Sequence, residues 1–243
     1  MPAPKPSLPA CCSVPEADWP LPQALPGLTL HSCRFDPAQL AADDFARSQL
    51  TLPPGIASAA RKRQSEYLAG RLCAASALRQ LSGTPSFPAR GADNAPCWPP
   101  GITGSITHSH GWAAALVGHS SAWRGLGLDA EHLLPPARSE RLAGEILTPA
   151  ELQHFQQLAD EQRATYLTLC FSLKESLFKA LYPLVRRRFY FQAAALVEQA
   201  DNGRVRLQLR EDLDAEWTRG TCLEGQFGIR EERLLSLVWV PAH

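Results

Sequence analysis

The chain has 243 residues, 45% hydrophobic and 20% charged, an ordinary composition for a soluble globular protein able to bury a core. Its 24 basic and 24 acidic side chains cancel, which argues against a nucleic-acid or anionic-membrane partner and requires any anion site to be local. No apolar run approaches the ~18 residues of a membrane-spanning helix, and seven cysteines without a CxxC pair read as reduced thiols of a cytoplasmic protein.

Residues 1–30 are rich in proline and are expected to be irregular; the start (Pro2, Pro4, Pro6, Pro9) has no cationic-then-apolar signal pattern. Over 57–81, Leu68, Leu72, Ala75, Leu78 and Leu81 recur at spacings of three and four, predicting a long helix that Ser82-Gly83 stops. A loop with Pro85, Pro88, Pro96, Pro99 and Pro100 follows, then strands over 113–117 and 125–132 joined by His119-Ser120-Ser121. Thr148-Pro149-Ala150-Glu151 has the pattern of a helix start, with Thr as N-cap and Glu three residues on. The second long helix, 162–181, carries Tyr166, Leu169, Leu173, Leu177 and Leu181 as one apolar stripe, and Pro183 is expected to end it. Strands over 190–197, 205–209 and 234–240 complete the chain, with Asp201-Asn202-Gly203 as a hairpin turn and Gly228 and its neighbours between the last two. Each half is a long helix followed by strands, which reads as two α+β subdomains: an irregular segment over 1–30, then 31–122 and 123–243. A cleft between the subdomains is the default place for a ligand.

Four segments have chemical potential. In Gly125-Leu126-Gly127-Leu128-Asp129-Ala130-Glu131, strand alternation puts the leucines on one face and Gly127, Asp129 and Glu131 on the other. Neighbouring carboxylates on a strand repel, and a divalent cation would relieve them; the bland reading is a solvated strand end. In Phe171-Ser172-Leu173-Lys174-Glu175-Ser176-Leu177-Phe178-Lys179, Glu175 lies opposite the apolar stripe, four residues before Lys179. That pair is either a solvated helix ion pair or a carboxylate and ammonium aimed at a phosphate-rich substrate. Thr103-Gly104-Ser105-Ile106-Thr107-His108-Ser109-His110 reads as a hydroxyl-rich turn that can hold a phosphate. On the first long helix, Arg63 shares a face with Gly70, with Arg71 to one side; these are either solvated arginines or, beside a glycine that permits close approach, a clamp for a phosphate.

Taken in order, these segments resemble the 4′-phosphopantetheinyl transferase superfamily. Gly127 to Glu131 is similar to its G-[IV]-D-x-E motif, and Phe171 to Lys179 to its [FW]-[SC]-x-K-E-[SA]-x-x-K motif. Gly104 to His108, Arg63 to Arg71 and His31-Ser32-Cys33-Arg34-Phe35-Asp36-Pro37 resemble segments of its enterobactin-synthase component D-like branch. The resemblance implies two pseudo-symmetric α/β subdomains with the active site between them. It implies an enzyme that moves the 4′-phosphopantetheine arm of coenzyme A to a serine of an apo acyl carrier protein or peptidyl carrier domain, releasing 3′,5′-ADP; a monomer is expected, although no motif bears on oligomeric state. Asp129 and Glu131 would ligate Mg²⁺, or Mn²⁺ in its place, with Glu175 completing the shell or acting as base. Lys174 and Lys179 would neutralise phosphate charge, and Glu151 falls where the family has a further acidic residue. Thr107 and His108 match positions at the nucleotide end, with Arg63 and Arg71 on the phosphates. The chain departs from the family at Asn94-Ala95-Pro96-Cys97-Trp98-Pro99, which is neutral where relatives often carry a basic residue; Arg90 is the nearby substitute.

Arg186-Arg187-Arg188 reads as a solvated loop, or else as a docking patch for an acidic carrier. Two other function classes stay open: a metal-dependent phosphodiester hydrolase, and a non-catalytic protein that binds coenzyme A or a carrier.

Overall fold

The computed structural model describes residues 8–242; Pro2, Pro4 and Pro6 of the segment expected to be irregular lie outside them. The chain packs as two units, one of residues 8–19 and 27–118, the other of residues 20–26 and 119–242. Each combines antiparallel sheet with helix, and the chain is α+β as expected.

The first unit contains β1 (Glu16–Ala17), β2 (Leu28–Arg34), α1 (Asp44–Arg47), α2 (Pro54–Ala57), α3 (Arg61–Ser82), β3 (Ala89–Arg90), β4 (Pro96–Cys97), β5 (Ile102–Ser109) and β6 (Trp112–His119). Its main sheet has the order β1-β2-β6-β5, and α3 packs on β2 and β5. Leu68, Ala69, Cys73 and Ala74 of α3 are buried against Cys33, Ala113 and Ala115. The helix predicted over 57–81 is divided: α2 ends at Ala57 and α3 starts at Arg61. Gln64 stabilises the break, its side-chain amide donating to the carbonyls of Ala57 and Ala59 at 3.1 and 2.9 Å. Gly83, at φ +76°, terminates α3.

The sequence reading of 103–110 as a turn is corrected. Residues 102–109 form strand β5, and the turn falls at His110-Gly111, where both residues have positive φ. The alternating pattern of Ile102, Gly104, Ile106 and His108 against Thr103, Ser105, Thr107 and Ser109 is that of a strand with two different faces.

The second unit contains β7 (Trp123–His132), α4 (Pro136–Ile146), α5 (Pro149–Gln157), α6 (Asp160–Val185), β8 (Ala194–Gln199), β9 (Arg204–Leu209), β10 (Cys222–Arg230) and β11 (Arg233–Pro241). The strands make one antiparallel sheet, β7-β11-β10-β9-β8. Helix α6 lies on β7 and β11 and is buried on several sides. Leu169, Leu173, Leu177 and Leu181 enter a core with Trp217, Leu234 and Val238, while Leu167 and Cys170 enter a second one with Ile146, Leu147 and Phe155.

A third side of α6 meets β7 through small residues. A Cβ on Gly127 would overlap the Ser176 carbonyl, and one on Gly125 the Ala180 carbonyl. Glycine is needed at both for the helix to approach the strand.

Pro183 does not end α6 as expected. The helix runs two residues further and stops where Arg186 adopts φ +53°. A proline this close to the end removes one hydrogen bond from a turn that terminates anyway. Strand β10 is a second correction: Gly225 and Gly228 look like breakers, yet they lie inside a strand paired on both edges. Glu231 and Glu232, at φ +49° and +60°, supply the turn instead. The Asp201-Asn202-Gly203 turn joins β8 to β9 as expected, with the Arg204 N–H donating to Asn202 Oδ1 at 3.1 Å. No helix among the described residues is long and apolar enough to cross a membrane.

Candidate active site

In the second unit, β7 and α6 bring three acids and one lysine together. Asp129 is buried, and Lys179 Nζ donates to its Oδ1 at 2.6 Å and to the Leu128 carbonyl at 3.1 Å. Ser172 Oγ donates to Asp129 Oδ2 at 2.9 Å. Lys179 therefore reaches across to the strand, beyond the in-helix partner that its spacing from Glu175 offers.

Glu131 is half-buried, and its carboxyl is pushed up to about 7, first by burial and then by the charge of Asp129; Lys179 opposes the shift and Glu175 adds to it. Burial also pushes Glu175 up, with Lys179 opposing and Asp129 reinforcing.

Three carboxylates within electrostatic reach of one ammonium leave an excess of negative charge. A hard divalent cation suits that donor set, since Mg²⁺ takes few carboxylates and keeps positions for water and phosphate oxygens. Among the described residues no group of three or more His, Cys, Asp or Glu side chains is arranged to hold a metal ion, so an ion here would depend on those outside oxygens.

The shift at Glu131 gives a stability prediction. Its folded-state value lies above the ordinary 4.5, so between about pH 4.5 and 7 the folded state holds a proton that the unfolded chain has released. The metal-free protein is thus expected to lose stability as pH rises through this window. Thermal melts should show the slope, and Glu131→Gln should flatten it; an unchanged slope in that variant would contradict the assignment.

Lys174 and Glu151 do not join the acidic group. Their side chains are 1% and 3% exposed and form an ion pair at 2.7 Å. Lys174 Nζ also donates to the Ile146 carbonyl at 2.8 Å. Glu151 Oε2 accepts from the Thr148 N–H and hydroxyl, both at 2.8 Å, completing the capping box of α5, while Oε1 accepts from the Leu196 N–H at 2.8 Å. The pair joins α4, α5, α6 and β8, and the ammonium of Lys174 is not open to a phosphate. Beside it lies a cavity of about 180 Å³ lined by Lys174, Glu175, Phe178 and the segment Arg188-Phe189-Tyr190-Phe191.

In the first unit, Arg63 Nη1 lies 2.7 Å from His108 Nε2 and 3.4 Å from Glu66 Oε2. The carboxylate of Glu66 is also 3.6 Å from His108 Nδ1. Arg71 is buried, with its guanidinium 4.5 Å above the Tyr67 ring. Burial lowers its pKa, Tyr67 opposes this, and Arg63 and Arg90 lower it further, so three guanidinium groups share one neighbourhood. Thr107 and His108 are adjacent on β5 and point to opposite faces; His108 faces α3, and Thr107 is buried on the other side.

Sequence reasoning missed Glu66 and Ser172 as partners of the candidate residues. Both fall inside the motifs, at positions read there only for the pattern.

The model of the 4′-phosphopantetheinyl transferase N-terminal domain matches residues 52–118, and that of the 4′-phosphopantetheinyl transferase superfamily matches residues 125–233. Enterobactin synthase component D of Escherichia coli (strain K12) is 40% identical over 158 residues, covering 63% of this chain and 71% of the relative. The chain belongs to the 4′-phosphopantetheinyl transferase superfamily. Within it, the chain lies on the enterobactin-synthase component D-like branch. Two relatives named 4′-phosphopantetheinyl transferase have lower identity: PptT of Mycobacterium tuberculosis, 35% identical over 61% of this chain and 64% of the relative, and Npt of Nocardia iowensis, 34% identical over 61% and 65%. The superfamily match takes in Asp129, Glu131, Glu151, Lys174, Glu175 and Lys179, and the N-terminal match takes in Arg63, Arg71, Thr107 and His108.

Proposed function

We propose that this transferase moves the 4′-phosphopantetheine arm of coenzyme A to a serine hydroxyl of an apo acyl carrier protein or peptidyl carrier domain. The serine oxygen forms a bond to the β-phosphorus, the bond from that phosphorus to the bridging oxygen breaks, and 3′,5′-ADP leaves. The observation that carries this reading is the convergence of Asp129, Glu131, Glu175 and Lys179 from one strand and one helix in a member of this family.

Asp129 and Glu131 would hold Mg²⁺, or Mn²⁺, with Glu175 either joining them or serving as base and with water and substrate oxygens filling the other positions. The ion would supply charge neutralisation at the pyrophosphate and align it for in-line attack. Glu175 accepts the serine proton, directly or through one water, and its raised pKa makes it a stronger base than an ordinary carboxylate. Lys179 has three N–H donors; two are directed at Asp129 and the Leu128 carbonyl, and the third is available to a phosphate oxygen. Arg63 and Arg71 supply positive charge for the phosphates, with Arg90 contributing from the loop, and Thr107 and His108 meet the nucleotide end. Lys174 and Glu151 support the helix that carries Glu175.

We place the acyl or peptidyl carrier at the aromatic cavity beside Glu175, where exposed Arg187 and Arg188 suit an acidic surface. We also propose that the protein acts as a monomer in the cytoplasm; its seven free cysteines, five of them buried, support a reducing compartment.

The test is mass spectrometry of apo acyl and peptidyl carriers incubated with the protein, coenzyme A and Mg²⁺. A phosphopantetheine mass gain on serine, with release of 3′,5′-ADP and dependence on the metal, is the expected result. Breakdown of coenzyme A without a carrier would favour a hydrolase. No turnover of any kind would favour a binding protein.

A further inference from the structure

Behind Asp129 runs a chain of three buried hydroxyls that none of the motifs accounts for in full. Ser236, on β11, stands directly opposite Asp129 in the strand pairing, so the two side chains share the face covered by α6. Its Oγ lies 2.8 Å from Ser172 Oγ and 2.8 Å from Ser176 Oγ, and Ser172 Oγ lies 2.9 Å from Asp129 Oδ2. Ser172, Ser176 and Ser236 each have 0% exposure. In sequence Ser236 interrupts the apolar run Leu234-Leu235-Ser236-Leu237-Val238. Packing alone gives no reason for a hydroxyl there.

The direction of this chain follows from donor counting. An ionised carboxylate can only accept, and each hydroxyl has one hydrogen to give. Ser172 directs its hydrogen to Asp129, so the contact with Ser236 must be donated by Ser236. The single hydrogen of Ser176 is shared between Ser236 Oγ at 2.8 Å and the Ser236 carbonyl at 3.1 Å, so Ser176 closes the far end of the chain. The O–H dipoles of Ser172 and Ser236 thus point toward one carboxylate, and aligned hydrogen bonds reinforce one another in a water-free interior. With Lys179 on Oδ1, both oxygens of Asp129 are held from the protein side, which fixes the plane of the carboxylate.

We infer that Ser236 is a positioning residue for the metal-binding carboxylate, acting on Asp129 through Ser172, with Ser176 as the far end of the same chain. The inference rests on the reading of Asp129 as a metal ligand. It assigns to β11, outside the two acidic motifs, a part in organising the cation site.

The experiment is a Mn²⁺ titration of the full chain with coenzyme A and without a carrier, read by water-proton relaxation and paired with thermal melts. Ser236→Ala is expected to weaken Mn²⁺ binding by about ten- to a hundredfold, the usual range for loss of an outer partner of a metal ligand. Ser236→Thr, which keeps the hydroxyl, should bind close to the parent, and Ser176→Ala should weaken binding in the same direction but less. Leu207→Ala, in the core of the same sheet, should lower the melting temperature without altering Mn²⁺ affinity. Parent-like binding by folded Ser236→Ala, or equal losses in Ser236→Ala and Ser236→Thr, would overturn the inference while leaving the metal site in place. Absence of binding in the parent, or its survival in Asp129→Ala, would sink both readings. Should Ser236→Ala not fold, Ser236→Cys keeps the volume with only a weak donor and takes its place with the same expectation.

Discussion

Glu175→Ala is expected to lower kcat for transfer by about 10²- to 10⁴-fold, the range for loss of a general base, while the protein stays folded. Glu175 is half-buried on α6 and its carboxyl is raised by burial. Removing it takes a destabilising charge out of an acidic neighbourhood, so stability should hold or rise. Asp129→Ala and Glu131→Ala should each abolish most transfer too, but with different signatures. Asp129 is the acceptor for Lys179 and Ser172, and its loss leaves those donors unmatched. A stability cost of about 1–3 kcal/mol follows, kept toward the low end because Lys179, 27% exposed, can turn to water. Glu131→Ala should show the activity loss without that cost. Steady-state kinetics with melts on the same preparations check all three, and near-normal rates in all three variants would remove the site assignment.

Lys174→Met is expected to destabilise the protein by about 3–5 kcal/mol, the cost of breaking a buried ion pair from one side. Glu151 would keep its contacts to the Thr148 and Leu196 N–H groups, but its charge would face no ammonium at 3% exposure. Neutralising the partner should recover part of the loss, so Lys174→Met/Glu151→Gln should be more stable than Lys174→Met alone. The recovery is incomplete, since a glutamine has one acceptor oxygen where the carboxylate uses two. Denaturant melts give the stabilities, and transfer measured per folded molecule should change little beside Glu175→Ala. A variant of Lys174 that melts like the parent but loses transfer would return Lys174 to the phosphate.

These two predictions separate residues that the motif treats alike. Lys174 and Lys179 lie five apart on one helix, and a resemblance assigns both to phosphate. An amphipathic stripe gives the phase of a helix, but it identifies the solvent side only when one face alone is buried. Helix α6 is covered by β7, β11, α4 and α5, so local pattern could not say that Lys174 meets Glu151 and Lys179 meets Asp129.

By itself the sequence determined the α+β class, the two long helices, the capping box at Thr148 and the hairpin turn at Asn202-Gly203. Each of these is written in spacings of a few residues, where hydrophobic period and turn chemistry act locally. It also set the order of the motifs that mark the family. Other features were decided by tertiary structure. Strand β10 survives two glycines because β9 and β11 both pair with Gly225 and β11 pairs with Gly228. Thr107 and His108 part to opposite faces because their segment is a strand. The hydroxyl chain at Ser236 exists because sheet pairing places a residue of β11 against one of β7, more than a hundred positions away in sequence. Such contacts come from how buried surfaces are shared between distant segments, which short-range periodicity does not encode.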